Sequence, residues 1–162
     1  MQSTCNYVAA AIHKFMCECS LIKGSVVTYP RWGGGSLIQF NVDNKIYEIQ
    51  SGYYDGSSSI ITAWSCALTH TDYHGILKEA YYTGNMEEVF LDSKLFESVE
   101  PNLSNLEVGD ILLNKRSNAA MYQGAGMLSH MFYDEFNESR FELTDLYYDN
   151  WDSILRYNGR AN

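Results

Sequence analysis

The stretch that most constrains the fold is Tyr53–Trp64, in which turn-forming residues run directly into an apolar, helix-like segment. Its large apolar side chains recur at helical spacing as far as Leu68, so the sequence predicts a turn followed by a helix with one buried side. Ser57 or Ser58 is expected to cap this helix, because a short hydroxyl can accept from a free N–H of the first turn. The start of such a helix favours an anion or a thiolate.

The size of the chain favours one domain, over residues 1–162. It has 46% hydrophobic and 14% aromatic residues, enough for a single core. We expect no signal peptide and no membrane span, because no cationic start precedes an apolar run and none approaches about 20 residues. The few, clustered cysteines argue against a disulfide framework and favour a reducing cytoplasm, for which we take a bacterial or phage-infected cell as the default.

A metal site at the clustered cysteines is the alternative that the sequence leaves open. Cys17 and Cys19 are too close together for the usual zinc pair, although His13 lies one helical turn before Cys17. Buried or unused thiols are the favoured interpretation. We therefore expect no metal and no cofactor.

The net charge of −9 is concentrated in two segments, residues 87–110 and 134–152, each with seven acidic side chains. Such a surface repels nucleic acid, so we expect no direct nucleic-acid binding. One interpretation is a solvated, solubilising face. The other is an acidic, tyrosine-rich patch that occupies a basic groove on a partner protein.

Two features before the central stretch have clear periodicity. Residues 4–19 predict an amphipathic helix, with Val8 and Ile12 on its apolar face and His13 elsewhere. Two alternating runs flank Asp43-Asn44 and predict a β-hairpin over about residues 36–50, since both turn residues tolerate positive φ.

The second half of the chain changes in character. A short helix is expected over residues 86–91, capped by Gly84 or Asn85. From Leu106 onwards, short apolar runs separated by turns predict strands, with a tight reversal at 124–126. Helices followed by an antiparallel sheet indicate an α+β fold.

Six segments, in order, together carry a family resemblance. They are Arg31-Trp32-Gly33, Tyr54-Asp55-Gly56-Ser57-Ser58 with its continuation to Trp64, residues 83–91, residues 108–114, residues 120–126 and residues 151–157. These resemble the NlpC-type papain-like cysteine peptidase family, and especially its phage endolysin branch. The resemblance implies N-terminal helices packed on a central antiparallel sheet, a family-like core over about residues 51–157, and the hairpin as an insertion.

The resemblance also implies a site, and this chain lacks its reactive groups. In the family, a helix N-terminal cysteine attacks amide bonds of peptidoglycan stem peptides, a histidine on the facing strand exchanges the proton, and a third polar residue orients that histidine. The matching positions here are Gly56, Asn118 and His130. Glycine has no side chain to attack with, and asparagine cannot exchange a proton near neutral pH. The alternative interpretation of His130 is a histidine at the end of a strand that is hydrogen-bonded to a neighbour.

Relocated chemistry is the alternative at this site. Ser57, Ser58 or Ser59 would need a base, and none is expected at the matching strand position. Cys66 lies too far into the helix to feel its dipole and is expected to be a core thiol. His70 and His74 follow in the next loop.

Three functions therefore stay open. The first is a catalytically inactive domain that binds a peptide or protein partner, the second an active peptidoglycan amidase or endopeptidase, and the third an acidic phage or mobile-element inhibitor of a nucleic-acid-handling protein. For the first, the residues expected to contact the partner are Trp32, Tyr53, Tyr54, Asp55, Ser57, Tyr122 and His130.

Overall fold

The computed structural model describes residues 4–24, 33–116, 118–133, 139–145 and 150–159. Within them the chain forms an α+β fold of three helices and two sheets, as predicted. The first sheet is small and contains the hairpin. The second sheet is large and antiparallel and supports the helices.

The helices are α1 (Cys5–Glu18), α2 (Gly56–Ala67) and α3 (Thr83–Asp92). The prediction of a helix over residues 4–19 is confirmed. The predicted start of α3 is wrong by about one turn, because the Asn85 side chain accepts from the N–H groups of Tyr81 and Tyr82 and closes the turn before it. Asn85 therefore lies inside the first turn rather than at its cap.

The small sheet has the order β1-β3-β2, from β1 (Ile22–Gly24), β2 (Gly33–Val42) and β3 (Lys45–Tyr54). The predicted hairpin is confirmed, and its turn residues Asp43 and Asn44 have φ values of 52° and 64°. β1 runs parallel to the end of β3 and pairs with residues 52–54. The strand therefore continues through the predicted turn at Tyr53-Tyr54 and stops one residue before α2.

The large sheet has the order β4-β9-β5-β6-β7-β8, and every neighbouring pair is antiparallel. Its strands are β4 (Phe96–Val99), β5 (Ile111–Asn114), β6 (Asn118–Gly124), β7 (Met127–Tyr133), β8 (Ser139–Asp145) and β9 (Ser153–Tyr157). The predicted reversal between β6 and β7 is confirmed, since residues 124–126 all have positive φ. β4 was not predicted, because four residues give too short a pattern to recognise.

The main core lies between α1, α2 and one face of the large sheet. Trp64 is fully buried in α2, where its ring contacts Phe96 of β4 edge-on and Tyr157 of β9. A smaller apolar cluster covers the opposite face of the sheet. The first residues of α2 are therefore held against β6, where the sequence places the candidate site.

Candidate functional site

The N-terminus of α2 is capped by Asp55, not by a serine as predicted. Asp55 Oδ1 accepts from the Ser58 N–H at 2.7 Å, and Ser58 Oγ accepts from the Asp55 N–H at 2.8 Å. Ser57 Oγ also donates to Asp55 Oδ1 at 3.2 Å. Asp55 rather than a serine occupies the N-cap position because the chain is still extended at Asp55 and becomes helical at Gly56. A negative charge thus already complements the positive end of this helix.

Gly56, the first residue of α2, faces Asn118, the first residue of β6. A Cβ atom at Gly56 would lie 2.4 Å from Asn118 Oδ1. Gly56 does not have a positive φ, so its backbone does not require glycine there. The constraint is spatial: the Asn118 amide, which accepts from the Ala119 N–H at 2.9 Å, fills the space that a side chain would need. The positions matched to nucleophile and base are therefore adjacent, and neither carries a reactive group.

His130 lies on the next strand and is fully buried. It is in register with Ala120, two residues beyond Asn118 on β6. Its Nδ1–H donates to the Met131 carbonyl oxygen at 3.1 Å, which agrees with the interpretation of a strand histidine bonded to a neighbour.

A second group of polar side chains lies beneath α1. His13 Nε2 lies 2.9 Å from Ser59 Oγ of α2, and His13 Nδ1 lies 2.6 Å from Ser129 Oγ of β7. Ser59 Oγ donates to the Gly56 carbonyl oxygen at 3.1 Å, and Gln123 Nε2 donates to Ser129 Oγ at 2.8 Å. Two proton arrangements fit these distances. His13 donates to Ser59 and accepts from Ser129, or it accepts from Ser59 and donates to Ser129, whose hydroxyl then donates to the Met121 carbonyl oxygen at 3.3 Å. We call these four side chains the His13 cluster.

The His13 cluster combines a hydroxyl and an imidazole without access to a substrate. His13, Ser59 and Ser129 each have 0% of their surface exposed. Burial, followed by the nearby His130, lowers the pKa of His13 from 6.5 to about 3, so the imidazole is neutral at pH 7. Because both of its nitrogens bind serines, His13 also has no nitrogen left for a metal shared with Cys17.

The prediction that His13 lies off the apolar face of α1 is wrong. Ala9, Ile12, His13 and Met16 are all buried and follow the spacing i, i+3, i+4, i+7. This spacing was the available signal, and the polarity of histidine concealed it.

A cleft of about 500 Å³ lies beside the hairpin, between β3 and the outer face of α2. Its lining mixes apolar and polar side chains, and Glu48, His74 and Lys78 bring charged or titratable groups to it. Gly56 and Asn118 are not among its lining residues. This cleft is therefore separate from the contact between Gly56 and Asn118.

Cys66 lines this cleft but is not poised to attack. Burial raises the pKa of its thiol to about 11, and the S–H group points at the Glu48 carbonyl oxygen at 3.6 Å. The prediction of a core thiol is confirmed. His74 lines the same cleft, whereas His70 donates from Nε2 to the Ile46 carbonyl oxygen at 2.8 Å.

The other predicted contact residues differ in their accessibility. Tyr53 is 54% exposed, and Tyr122 is half-buried with its hydroxyl oxygen accepting from the Gly126 N–H at 3.1 Å. Tyr54 and Ser57 are buried, and the Tyr54 hydroxyl donates to the Gln50 carbonyl oxygen at 2.6 Å. Burial raises the pKa of Tyr54 to about 12. Trp32 lies outside the described residues.

Tertiary contacts neutralise part of the first acidic segment. Arg156 of β9 binds Asp110 and Glu107, each at 2.8 Å, and Lys115 binds Glu87 at 2.8 Å. Arg156 and Lys115 lie outside the acidic segment in sequence, so a local count of charges could not include them. Three of its seven acids therefore belong to ion pairs of the fold.

Comparison with protein-family models, curated proteins and solved structures finds no match to this chain. Among the described residues, no helix is long and apolar enough to cross a membrane. In the same part of the chain, no three side chains of His, Cys, Asp or Glu are grouped as metal ligands would be.

Proposed function

We propose that this chain is a catalytically inactive, NlpC-like domain of the papain type that acts by binding a peptide or protein partner. The observation that carries the proposal is the contact between Gly56 and Asn118. The two positions that the resemblance assigns to nucleophile and base are neighbours in space, yet neither can take part in acyl transfer. A frame of this kind can retain a recognition surface after its reactive groups are gone.

The competing function is an active amide hydrolase with a displaced nucleophile. Among the described residues, the contacts of the His13 imidazole with the Ser59 and Ser129 hydroxyls favour it, because a hydroxyl beside an imidazole is the pairing that nucleophilic catalysis needs. The burial of all three groups argues against it, since no substrate atom can reach either hydroxyl.

Two features support recognition. Tyr53, immediately before the capped start of α2, exposes a large and rigid side chain with a polar tip. The cleft beside the hairpin has a volume in the range that small ligands and short peptides occupy. Its lining combines apolar side chains with the carboxylate of Glu48 and the ammonium group of Lys78, a combination suited to a ligand with both charges.

Cell-wall hydrolysis tests the loss of catalysis. Purified Gram-positive cell walls are incubated with the wild-type protein, with Gly56→Cys/Asn118→His, and with each single variant as a control. We expect no released amines from the wild type or the single variants, because each lacks one or both partners, and measurable release from the double variant. Release by the wild type would contradict the proposal. A folded but inactive double variant would contradict the assignment of these two positions.

Affinity capture from host lysate with mass spectrometry tests binding. Tyr53→Ala is compared with Tyr7→Ala on α1, since both tyrosines are 54% exposed. Lys78→Glu in the cleft is compared with the exposed Lys14→Glu on α1. We expect a partner whose recovery falls with Tyr53→Ala or Lys78→Glu and not with the α1 variants. Recovery that is insensitive to both test variants would exclude these surfaces.

A further inference from the structure

The hairpin strand β2 is at the edge of the small sheet, where β3 is its only partner among the described residues. It is ten residues long and contains no charged residue and no proline. Edge strands of monomeric proteins are usually protected by charged residues, by prolines or by short length, because their unpaired peptide groups attract another strand. The irregularity in β2 lies between Gly34 and Leu37, so Leu37–Val42 remains regular.

The register shows which peptide groups of β2 point away from β3. The two-residue turn makes Val42 and Lys45 a hydrogen-bonded pair, and the pattern then alternates along the ladder. The N–H and C=O groups of Leu37, Gln39 and Asn41 therefore face outward.

The far side of β3 gives independent support for this alternation. The residues opposite Asn41, Gln39 and Leu37 are Ile46, Glu48 and Gln50. Their carbonyl groups point away from β2, since they accept from the side chains of His70, Cys66 and Tyr54. β3 thus has side chains that satisfy its outer carbonyl groups. On the outer edge of β2, by contrast, no described residue bonds the peptide groups, and Leu37 is 62% exposed.

We propose that the edge of β2 pairs with β2 of a second copy of this chain, antiparallel and about a two-fold axis at Gln39. This register places Gln39 opposite its own copy and Leu37 opposite Asn41 of the other chain. All three outward-facing residues then exchange backbone hydrogen bonds, about six in total. Two three-stranded sheets become one continuous sheet.

Side-chain chemistry favours a second copy over an unrelated strand. In this register the half-buried apolar side chains of Ile38 and Phe40 lie opposite each other across the new pair, and Gln39 meets Gln39 on the other face. β2 itself carries no charge, so the pairing places no like charges on the two strands. The inference stands independently of the proposed function.

Sedimentation velocity over a range of protein concentrations tests the proposal with Gln39→Pro and Gln39→Ala. Both variants lose the side-chain hydrogen bond to Glu48, but only proline removes the outward N–H at the two-fold axis. An edge strand tolerates proline at an outward-facing position, and circular dichroism checks that the variant is folded. We expect a wild-type dimer, an alanine variant of similar dimer affinity, and dimerisation at least about tenfold weaker in the proline variant.

Amide exchange measured residue by residue provides the second readout. On raising the wild-type concentration, exchange should slow at Leu37, Gln39 and Asn41, while Ile38 and Phe40, already bonded to β3, should change little. A wild-type monomer at all concentrations would overturn the proposal, and so would a dimer equally strong in both variants. Protection of the same three amides only when a captured partner protein is added would also overturn it and would assign the edge to that partner.

Discussion

The start of α2 and the His13 cluster lie a few residues apart, and each lacks a different requirement of a catalytic site. The start of α2 lacks reactive groups, and the His13 cluster lacks access for a substrate. At the start of α2, Gly56 and Asn118 lie against each other, and neither side chain can act as a nucleophile or a base. One turn further along, Ser59 contacts an imidazole, but both groups are sealed beneath α1. The Ser59 hydroxyl connects the two regions through its hydrogen bond to the Gly56 carbonyl group.

The two regions show that a hydroxyl and an imidazole in contact do not make a catalytic site when both are buried. A buried imidazole is kept neutral, so it can complete a hydrogen-bond network between helices and sheet, where a charged group would be costly. A half-exposed asparagine beside a glycine is chemically inert and is free to shape a surface. We infer that the His13 cluster stabilises the fold, whereas the start of α2 is the region where function is expected.

The largest effect should come from His13→Ala, which tests whether the His13 cluster stabilises the fold. The change leaves the buried hydroxyls of Ser59 and Ser129 without their imidazole partner, so we expect a loss of about 3 kcal/mol in the free energy of unfolding. Denaturant titration measures it. Lys14→Ala, the exposed neighbour on α1, is the control and should change stability by less than about 0.5 kcal/mol. Equal effects of the two variants would count against a structural role.

The pH dependence of stability should show the next largest effect. The pKa of His13 is about 3 in the folded state and 6.5 ordinarily, so as the pH falls below 6.5 the unfolded chain takes up a proton that the folded chain does not. Stability is therefore complete above pH 6.5 and is lost towards pH 3, by about 1.4 kcal/mol per pH unit and about 2 kcal/mol by pH 5. Titrations at several pH values compare wild type with His13→Gln. The difference between the two slopes of unfolding free energy against pH is the contribution of His13. Identical slopes would contradict a lowered pKa of His13 in the folded state.

The smallest effect is expected for Gly56→Ala, which tests the contact between Gly56 and Asn118. In Gly56→Ala the new Cβ meets Asn118 Oδ1, and the amide can rotate away only by giving up its hydrogen bond with the Ala119 N–H. We expect a loss of about 1 kcal/mol in the free energy of unfolding. In an Asn118→Ala background the same change should be neutral or slightly stabilising, because alanine favours a helix over glycine. A double-mutant cycle measures the coupling, and strict additivity would show that the two positions are not in contact.

Local patterns predicted much of the fold and little of the site. The hairpin at Asp43-Asn44, the apolar side of α2 and the reversal at 124–126 follow from turn chemistry and periodicity, which act between near neighbours in the chain. The Asp55 cap was missed because three serines compete for that role, and only the position where the helix begins decides between them. β4 was too short to give a pattern.

The sequence by itself determined that positions 56 and 118 carry no nucleophile and no base, since the absence of an atom needs no structure to establish it. It also determined the α+β class through the order of its helical and strand-like patterns. Only the tertiary structure decided that Gly56 and Asn118 touch, that His13 joins Ser59 and Ser129, and that Arg156 and Lys115 neutralise acids of the 87–110 segment. These contacts join residues up to 116 positions apart, and burial, which sets the pKa of His13, depends on what covers a group rather than on its sequence neighbours.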